Sequence, residues 1–267
     1  ADCRSGIATG NNKFIKHWYE VNFTNIKLDS KKISDMNGYK WFPLNSGGEK
    51  RKWYGNYLEL VNLYNDGEEI KKSGGNFRLR NKQYYFKPGI TWGRITSSNI
   101  SFRIVKEGSL FGDAGPIAFL DKNKYYLLGF LNTKFVNRYL SIINPTLNFQ
   151  IEDMKNVPII FSEIHKPEID SLVQQNINIS KIDWDSFETS WDFVIHPLLD
   201  EVKQGQVPNT IESAYENWKS YANTNFAKLK ANEERLNELF IEIYGLEDEL
   251  TPEVSDKDIT IAKIFDD

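Results

Sequence analysis

Short runs in which apolar and polar residues alternate dominate the first half of the chain and predict β-strands. Residues 77–80 alternate apolar and cationic side chains, which is the two-residue period of a half-buried strand. Further strands are predicted at 84–86, 90–95 and 102–105, and glycine-containing turns separate several of the aromatic-rich runs. Together these runs predict a mixed β-sheet.

A period of three to four residues replaces this alternation later in the chain and predicts helices. One amphipathic helix is predicted at 125–143 and another at about 167–179. The clearest pattern lies at 210–244, where apolar residues recur along one face almost as in a coiled coil, and Gly245 is a suitable stop. Residues 184–193 are predicted to be irregular or a short helix.

The distribution of charge divides the chain into two parts. Residues 1–161 contain 24 Lys and Arg against 14 Asp and Glu, a formal charge of +10, whereas residues 162–267 contain 9 against 23, a charge of −14. We therefore predict an α+β protein with a mixed-sheet domain at 1–161 and an acidic helical domain, containing the long helix, at 162–267. The basic half is a candidate for binding a polyanion. The acidic half is expected to pack behind the sheet, bind a partner or contact a catalytic domain.

Composition argues against several classes of protein. The sequence contains no apolar run of membrane-spanning length and no signal-peptide pattern, which predicts a cytoplasmic protein without membrane contact. Cys3 is the only cysteine, so no intrachain disulfide is possible, and one cysteine with three histidines makes no recognisable zinc site. No residue is therefore assigned to a metal site or to catalysis, and no cofactor is expected in this chain.

Cationic, aromatic and hydroxyl side chains concentrate between positions 77 and 103 and predict a nucleic-acid interface. Arginine suits phosphates and guanine edges because its planar group donates two parallel hydrogen bonds. Trp92 and Arg94 are expected to share a strand face, from which an exposed tryptophan would stack on a base or wedge a base step. The alternative is a solvated cationic strand face with Trp92 in the core. The candidate residues are Arg78, Arg80, Lys82, Lys87, Trp92, Arg94, Ser97, Ser98 and Arg103.

A second basic cluster follows the glycine pair at 47–48 and consists of Lys50, Arg51 and Lys52. We expect it to lie in or beside a loop and, with the first cluster, to form a basic groove. The alternative is a surface turn whose following aromatic pair packs inward.

The candidate residues of the two clusters are expected to contact different parts of the DNA. Arg78, Arg80, Arg94 and Arg103 with Trp92 are expected near the bases, and Lys50, Arg51, Lys52, Lys82 and Lys87 at the phosphate backbone.

Two short motifs imitate catalytic loops but lack what the chemistry requires. Residues 111–115 (FGDAG) have the composition of a loop that binds S-adenosylmethionine, but the spacing is wrong and no strand–loop–helix unit surrounds them. Residues 144–147 (NPTL) lack the second proline and the aromatic residue of a loop that grips a flipped adenine. We interpret the first motif as a plain turn and reject the second as catalytic.

A series of longer motifs extends over nearly the whole chain. They are GIATGNN at 6–12, WYEV at 18–21, TWGRI at 91–95, LGFLNT at 128–133, NPTLNF at 144–149, KIDWDSFETSWDF at 181–193, IYGL at 243–246 and DELTPEV at 248–254. In order and spacing they resemble the region that follows the catalytic domain in phage-defence (BREX) adenine methyltransferases of the PglX type. Related type II restriction-modification enzymes have a similar region.

The resemblance implies a C-terminal specificity (target-recognition) region separated from its catalytic domain. It implies double-stranded DNA as a partner, together with a methyltransferase domain of the same protein or a separate methyltransferase subunit. It also implies S-adenosylmethionine as the cofactor of that missing domain, which would methylate adenine N6. Thr133 stands where serine is common in the family, a mild departure. No residue of this chain matches a catalytic motif, so no catalytic role is transferred.

Three alternatives remain open at the level of sequence. A stand-alone specificity subunit would recruit a separate methyltransferase. An unrelated protein-interaction or glycan-binding module is conceivable because the chain has 7 Trp and 13 Tyr. A nuclease would need clustered carboxylates and a lysine around Mg²⁺, for which Glu253, Asp256 and Lys257 are the nearest approach, and we interpret these as a solvated tail.

Overall fold

The computed structural model describes residues 1–199 and 210–264. Its strands form two four-stranded sheets within these residues. Sheet A is antiparallel and contains, in spatial order, β1 (Asp2–Arg4), β8 (Ile117–Phe119), β5 (Gly89–Trp92) and β6 (Phe102–Val105). Sheet B is mixed and contains β2 (Ile15–His17), β4 (Glu59–Asn62), β3 (Trp41–Asn45) and β7 (Leu110–Phe111). The pair β3–β7 is parallel.

One α-helix lies between the strands in sequence, and the other α-helices with described bounds come after the last strand. The α-helices are α1 (Tyr64–Lys72), α2 (Lys124–Leu131), α3 (Lys134–Ile143), α4 (Ile151–Lys155), α5 (Lys166–Asp185) and α6 (Ile211–Tyr244). Gly245 ends α6 in the left-handed conformation at φ 62°, as the sequence predicts. The α+β class with a long helix is confirmed.

Sheet A lies between two hydrophobic clusters. Val105 and Ile117 belong to the cluster shared with sheet B, whereas Trp92 and Phe102 belong to the cluster shared with the helices. Because successive side chains of a strand face opposite sides, a sheet buried on both faces is apolar at nearly every position. All four residues of β5 are buried for this reason.

The predicted helix at 125–143 is two helices, because Asn132 and Thr133 interrupt it. The side-chain amide of Asn132 donates to the carbonyl of Phe102 at 2.9 Å and accepts from its N–H at 3.0 Å, so it pairs with the backbone of β6. Thr133 then caps α3 by accepting from the N–H of Val136 at 3.4 Å. Asn132 and Thr133 thus end one helix and begin the next, while Asn132 also provides hydrogen bonds to the backbone of strand β6.

Two strand predictions are wrong, at 77–80 and at 84–86. Arg78 forms only a single antiparallel bridge, with Ala8. Asn81 then adopts the left-handed conformation at φ 58°, and a short 3-10 helix, Lys82–Tyr84, follows it. Phe86 is left-handed as well, at φ 68°, and a left-handed residue lies outside the extended conformation that a strand requires.

One hydrophobic core joins the two halves of the chain. Phe130 and Leu140 lie before position 161, and Val173 and Phe240 lie after it, in the same cluster. Gly129 allows this close packing, because a Cβ there would lie 2.9 Å from Cγ2 of Val173. The division into two domains stays a prediction, but the halves are packed together.

No helix in the described ranges is long and apolar enough to cross a membrane.

Candidate nucleic-acid interface

Three of the predicted arginines meet in one recess of about 260 Å³, which we call the arginine recess. Arg78, Arg80 and Arg94 line it around the carboxylate of Asp113. Nη2 of Arg80 donates to Oδ1 of Asp113, and Nη1 of Arg94 donates to Oδ2 at 2.7 Å. Glu152 also lines the recess, so the arginines exceed the acids by one.

Asp113 fixes the positions of its two arginines. Burial acts to raise the pKa of the Asp113 carboxyl, but the hydrogen bond from Ser5 and the charges of Arg94 and Arg80 outweigh it and lower that pKa. The carboxylate is therefore ionised at neutral pH. A carboxylate shared by two guanidinium groups restricts both of them, and the N–H groups that have no protein partner stay available to a ligand.

Hydrogen bonds of the backbone around Asp113 and Arg94 fix the position of the loop that carries Asp113. The N–H of Asp113 donates to the carbonyl of Ile7 at 2.9 Å, and the N–H of Arg94 donates to the carbonyl of Ala114 at 3.0 Å. Gly115 is required beside them, since a Cβ there would lie 2.4 Å from the amide nitrogen of Gly47. The loop interpreted above as a plain turn thus carries the acid that organises the recess.

Arg78 differs from its neighbours because it is exposed and has no acidic partner among the described residues. Lys87 is exposed as well, with its Nζ 5.2 Å from the ring centre of Tyr84. Lys82 pairs with Asp66 at 2.6 Å. The charges of Lys87 and Arg78 are therefore available for contact with a phosphate, whereas the charge of Lys82 is largely neutralised by its ion pair with Asp66.

Ser97 and Ser98 lie in an exposed loop that begins at Arg94. Thr96 holds this loop, because its hydroxyl accepts from the N–H of Ser98 at 3.1 Å. Nε of Arg94 donates to Oδ1 of Asn148 at 3.2 Å, which ties the start of the loop to a second exposed segment. Both serines are thus accessible on a loop that adjoins the arginine recess at Arg94.

Trp92 and Arg103, predicted to contact DNA, are buried, each with 1% of its surface exposed. Nε1 of Trp92 donates to the carbonyl of Phe149 at 3.2 Å inside the core. Strand β5 ends at Trp92, so Arg94 does not share a strand face with it. For these two residues the core alternative is correct, because both sides of sheet A are covered.

Arg103 is a buried cation without a carboxylate partner in the described residues. Nη2 of Arg103 donates to the carbonyl of Gly47 and to Oδ1 of Asn45. Burial lowers the pKa of its guanidinium to about 10, so it remains charged at neutral pH. It supports the loop at Gly47 from inside and is withdrawn from the candidate interface.

The second basic cluster faces the acidic half of the chain rather than a groove. Nζ of Lys50 lies 2.6 Å from Oδ1 of Asp258, and Nη2 of Arg51 lies 2.8 Å from Oδ2 of Asp183. The Arg51 guanidinium also stacks on the ring of Trp184, with its Cζ 4.9 Å from the ring centre. These ion pairs join the two halves of the chain. The prediction that Lys50 and Arg51 contact the phosphate backbone of DNA is therefore corrected.

Lys52 is the most buried member of that cluster, with 7% of its surface exposed. Its Nζ lies 2.6 Å from Oε2 of Glu233 on α6, and Nε1 of Trp53 donates to Oε1 of the same carboxylate at 2.7 Å. Part of the charge asymmetry between the halves is therefore neutralised within the chain. Lys52 belongs to this internal junction and not to the candidate interface.

Sequence reasoning missed the residues that organise the arginine recess. The sequence predicts a plain turn at Asp113, gives Asn148 only as part of the 144–149 motif and gives no role to Ser5, although all three contact the recess arginines or their acid. The available signal was an isolated acid in a glycine-rich loop within a basic half. It could have suggested a counter-charge for arginine.

With this geometry established, comparison with known proteins places the chain beside adenine-specific methyltransferases. It is 38% identical over 269 residues to the adenine-specific methyltransferase PglX of Lacticaseibacillus casei (strain Zhang), covering 97% of this chain and 22% of that protein. It is 33% identical over 242 residues to the adenine-specific methyltransferase BrxX of Escherichia coli O9:H4 (strain HS), covering 89% of this chain and 19% of that protein.

The chain thus spans about a fifth of the length of the curated relatives it matches. The resemblance to BREX adenine methyltransferases of the PglX type is confirmed for a segment of those proteins. No protein-family profile matches the chain.

Proposed function

We propose that this chain is the DNA-recognition region of a BREX-type adenine methyltransferase and that the arginine recess contacts the DNA. The observation that carries the proposal is the convergence of Arg78, Arg80 and Arg94 on one accessible recess organised by Asp113. The names of the related proteins support it, because an adenine-specific methyltransferase has to recognise a substrate that contains adenine, and duplex DNA is such a substrate.

The three arginines take different roles in this proposal. Arg80 and Arg94 are held in fixed orientation by Asp113, which suits the bidentate reading of a guanine edge. Arg78 and Lys87 are exposed and suit phosphate oxygens, which position the protein without reading sequence. Ser97 and Ser98 add hydroxyl donors to the backbone contact on the adjoining loop.

The remainder of the chain would act as scaffold. Helices α5 and α6 hold the basic segment through Asp183 and Glu233 and share the core of sheet A. The methyl transfer itself, with S-adenosylmethionine as donor, would belong to another part of the full protein or to a separate subunit. This chain would supply target recognition in the cytoplasm.

The direct test is binding of the full chain to a pool of duplex DNA of random sequence, followed at increasing salt. Neutralising several phosphates releases counterions, so affinity should fall steeply and linearly on logarithmic axes, with a slope of about −0.9 per phosphate contact. A neutral oligosaccharide serves as the second probe. Binding to the sugar instead of DNA, or DNA binding unaffected by salt, would contradict the proposal and favour an unrelated binding module.

A further inference from the structure

A hollow of about 490 Å³, which we call the apolar hollow, is lined by residues of sheet A, of α2 and of the segment 154–161. Its volume is within the range of about 300–1,000 Å³ that is usual for small-molecule sites, and it shares no lining residue with the arginine recess. Ile159 and Phe161 border its opening and are 47% and 39% exposed. Large side chains that are at most 1% exposed line its deep part, namely Trp92, Phe102, Tyr126 and Phe130.

The polar groups of these four buried side chains already have partners. Nε1 of Trp92 donates to the carbonyl of Phe149 at 3.2 Å. The hydroxyl of Tyr126 donates to the carbonyl of Ile160 at 2.9 Å and accepts from the N–H of Ser162 at 3.1 Å. The part of a ligand that enters the deep part of the apolar hollow therefore has to be apolar, because a polar group there would lose water without gaining a hydrogen bond from these side chains.

The charged side chains that line the apolar hollow are two lysines. Lys122, which lies shortly before α2, and Lys155, which ends α4, are both exposed. Neither ammonium group has an ion-pair or hydrogen-bond partner within residues 1–199 and 210–264, and no Asp or Glu is among the described lining residues. The exposed amide of Asn123 lines the hollow as well. A ligand whose apolar part lies in the hollow thus meets two unpaired positive charges, which favour an anionic group.

Size and charge together indicate the class of ligand. An apolar cavity of about 150 Å³ holds one benzene ring, so the apolar hollow has room for roughly three rings. A flat protein surface would cover Ile159 and Phe161 without filling the volume behind them. Duplex DNA stacks its bases inside its phosphate backbone, so it presents no apolar group that could enter the hollow beside an anion. A small molecule with rings and one anionic group meets both requirements.

We propose that the apolar hollow binds a small aromatic organic anion. Its rings pack against Trp92 and Phe130, and its carboxylate or sulfonate pairs with Lys122 and Lys155. The site is separate from the arginine recess, so the inference does not depend on DNA recognition. A ligand that binds only the folded chain stabilises it, so binding should also raise the Tm.

The experiment titrates the full chain with anilinonaphthalene sulfonate, a fluorescent dye that combines three rings with one sulfonate. Naphthoate and the uncharged naphthalenemethanol then compete with the dye. Lys122→Gln/Lys155→Gln removes the charges at the opening, and the matched control Lys228→Gln/Lys257→Gln removes two exposed lysines elsewhere. Leu127→Trp places a larger side chain in the hollow. Circular dichroism and urea unfolding establish which variants are folded.

The wild type and the control pair should bind one dye per chain, and naphthoate should displace the dye at a lower concentration than naphthalenemethanol does. Lys122→Gln/Lys155→Gln should weaken binding of the dye and of naphthoate roughly three- to tenfold, as expected for the loss of two exposed ion pairs, and should leave naphthalenemethanol unaffected. Folded Leu127→Trp should not bind the dye.

Three results would overturn the proposal: no saturable binding by the wild type, equal affinity for naphthoate and naphthalenemethanol, or equal weakening by the two lysine pairs. Binding of the dye to folded Leu127→Trp with the affinity of the wild type would overturn it too, because the dye would then lie elsewhere. If Leu127→Trp does not fold, the comparison of the two lysine pairs decides.

Discussion

Nζ of Lys52 lies 2.6 Å from Oε2 of Glu233, a residue 181 positions later in the chain, and both side chains are buried. Nε1 of Trp53 donates to the other oxygen of the same carboxylate. Lys52, which the sequence pattern predicts at the DNA phosphate backbone, therefore joins the basic segment to the long helix α6. The pair makes the two halves of the chain depend on each other.

Removing one partner of this pair should destabilise the chain strongly. Lys52→Met leaves the buried carboxylate of Glu233 without its cation and with only the hydrogen bond from Trp53, so the free energy of unfolding should fall by about 3–5 kcal/mol. Urea unfolding followed by tryptophan fluorescence measures it. The matched control Lys87→Met removes an exposed lysine and should change that free energy by no more than about 0.5 kcal/mol.

Adding Glu233→Gln to Lys52→Met distinguishes the effect of the unpaired charge on stability from the effect of altered packing. In Lys52→Met/Glu233→Gln the buried charge is gone, while an amide oxygen still accepts from Trp53. The double variant should be more stable than Lys52→Met alone, because no ion is left unpaired. If the double and single variants unfold at the same urea concentration, the loss comes from packing and the buried ion pair is not its cause.

The shared core leads to a prediction about truncation. A chain cut after residue 161 would uncover Phe130, whose ring centre lies 5.4 Å from that of Phe240, and would leave Lys52 without its carboxylate. We expect residues 1–161 to lack a cooperative thermal transition by circular dichroism, whereas the full chain shows one. A sharp transition for the truncated chain would mean that the mixed-sheet half folds independently.

Asp113 should impose a specific pH dependence. Its pKa is lowered in the folded state from the ordinary 3.8, so the stabilisation it provides is fully present above that ordinary value and is lost as the pH falls through the folded pKa. Asp113→Asn should therefore be less stable than the wild type at about pH 7 and at about pH 5, by the same amount. Below the folded pKa the difference should vanish. A difference that persists unchanged in strong acid would show that the carboxylate charge is not responsible.

Arg94 and Lys87 should affect DNA selection differently. Arg94→Ala removes an oriented donor suited to a base edge, so duplexes enriched from a randomised library by the variant should lose preference at one or two positions. Lys87→Ala removes a phosphate contact and should weaken all sequences alike without changing the enriched motif. Sequencing of both selected pools decides between them, and identical motifs from wild type and Arg94→Ala would refute a base-reading role for that residue.

Local patterns were sufficient where one segment alone determines its structure. The repeat of apolar residues along α6 and the stop at Gly245 predicted that helix almost to the residue. The alternation of apolar and polar residues wrongly predicted a strand at 77–80. The polar residues of this segment contact residues that are distant in the sequence. Arg80 reaches the carbonyl of Gly6 at 3.0 Å, a partner 74 residues away that no local period reveals.

The candidate site shows the same limit in another form. Composition identified the basic half, and three of its arginines do meet in one recess. It could not separate them from Arg103 or Lys52, because a cation inside the fold and one on its surface are identical in sequence. Their difference lies in what covers sheet A and in the acids that α5 and α6 bring to the basic segment.

The most direct measurement is the salt dependence of duplex binding by the full chain with Arg78→Ala. Arg78 is exposed and has no acidic partner among the described residues, so its loss should leave stability unchanged. The slope of log affinity against log salt should become shallower by about 0.9, the value for one phosphate contact. Lys228→Ala, on the exposed side of α6, should leave the slope unchanged. Equal slopes for wild type, Arg78→Ala and Lys228→Ala would contradict DNA binding at the arginine recess.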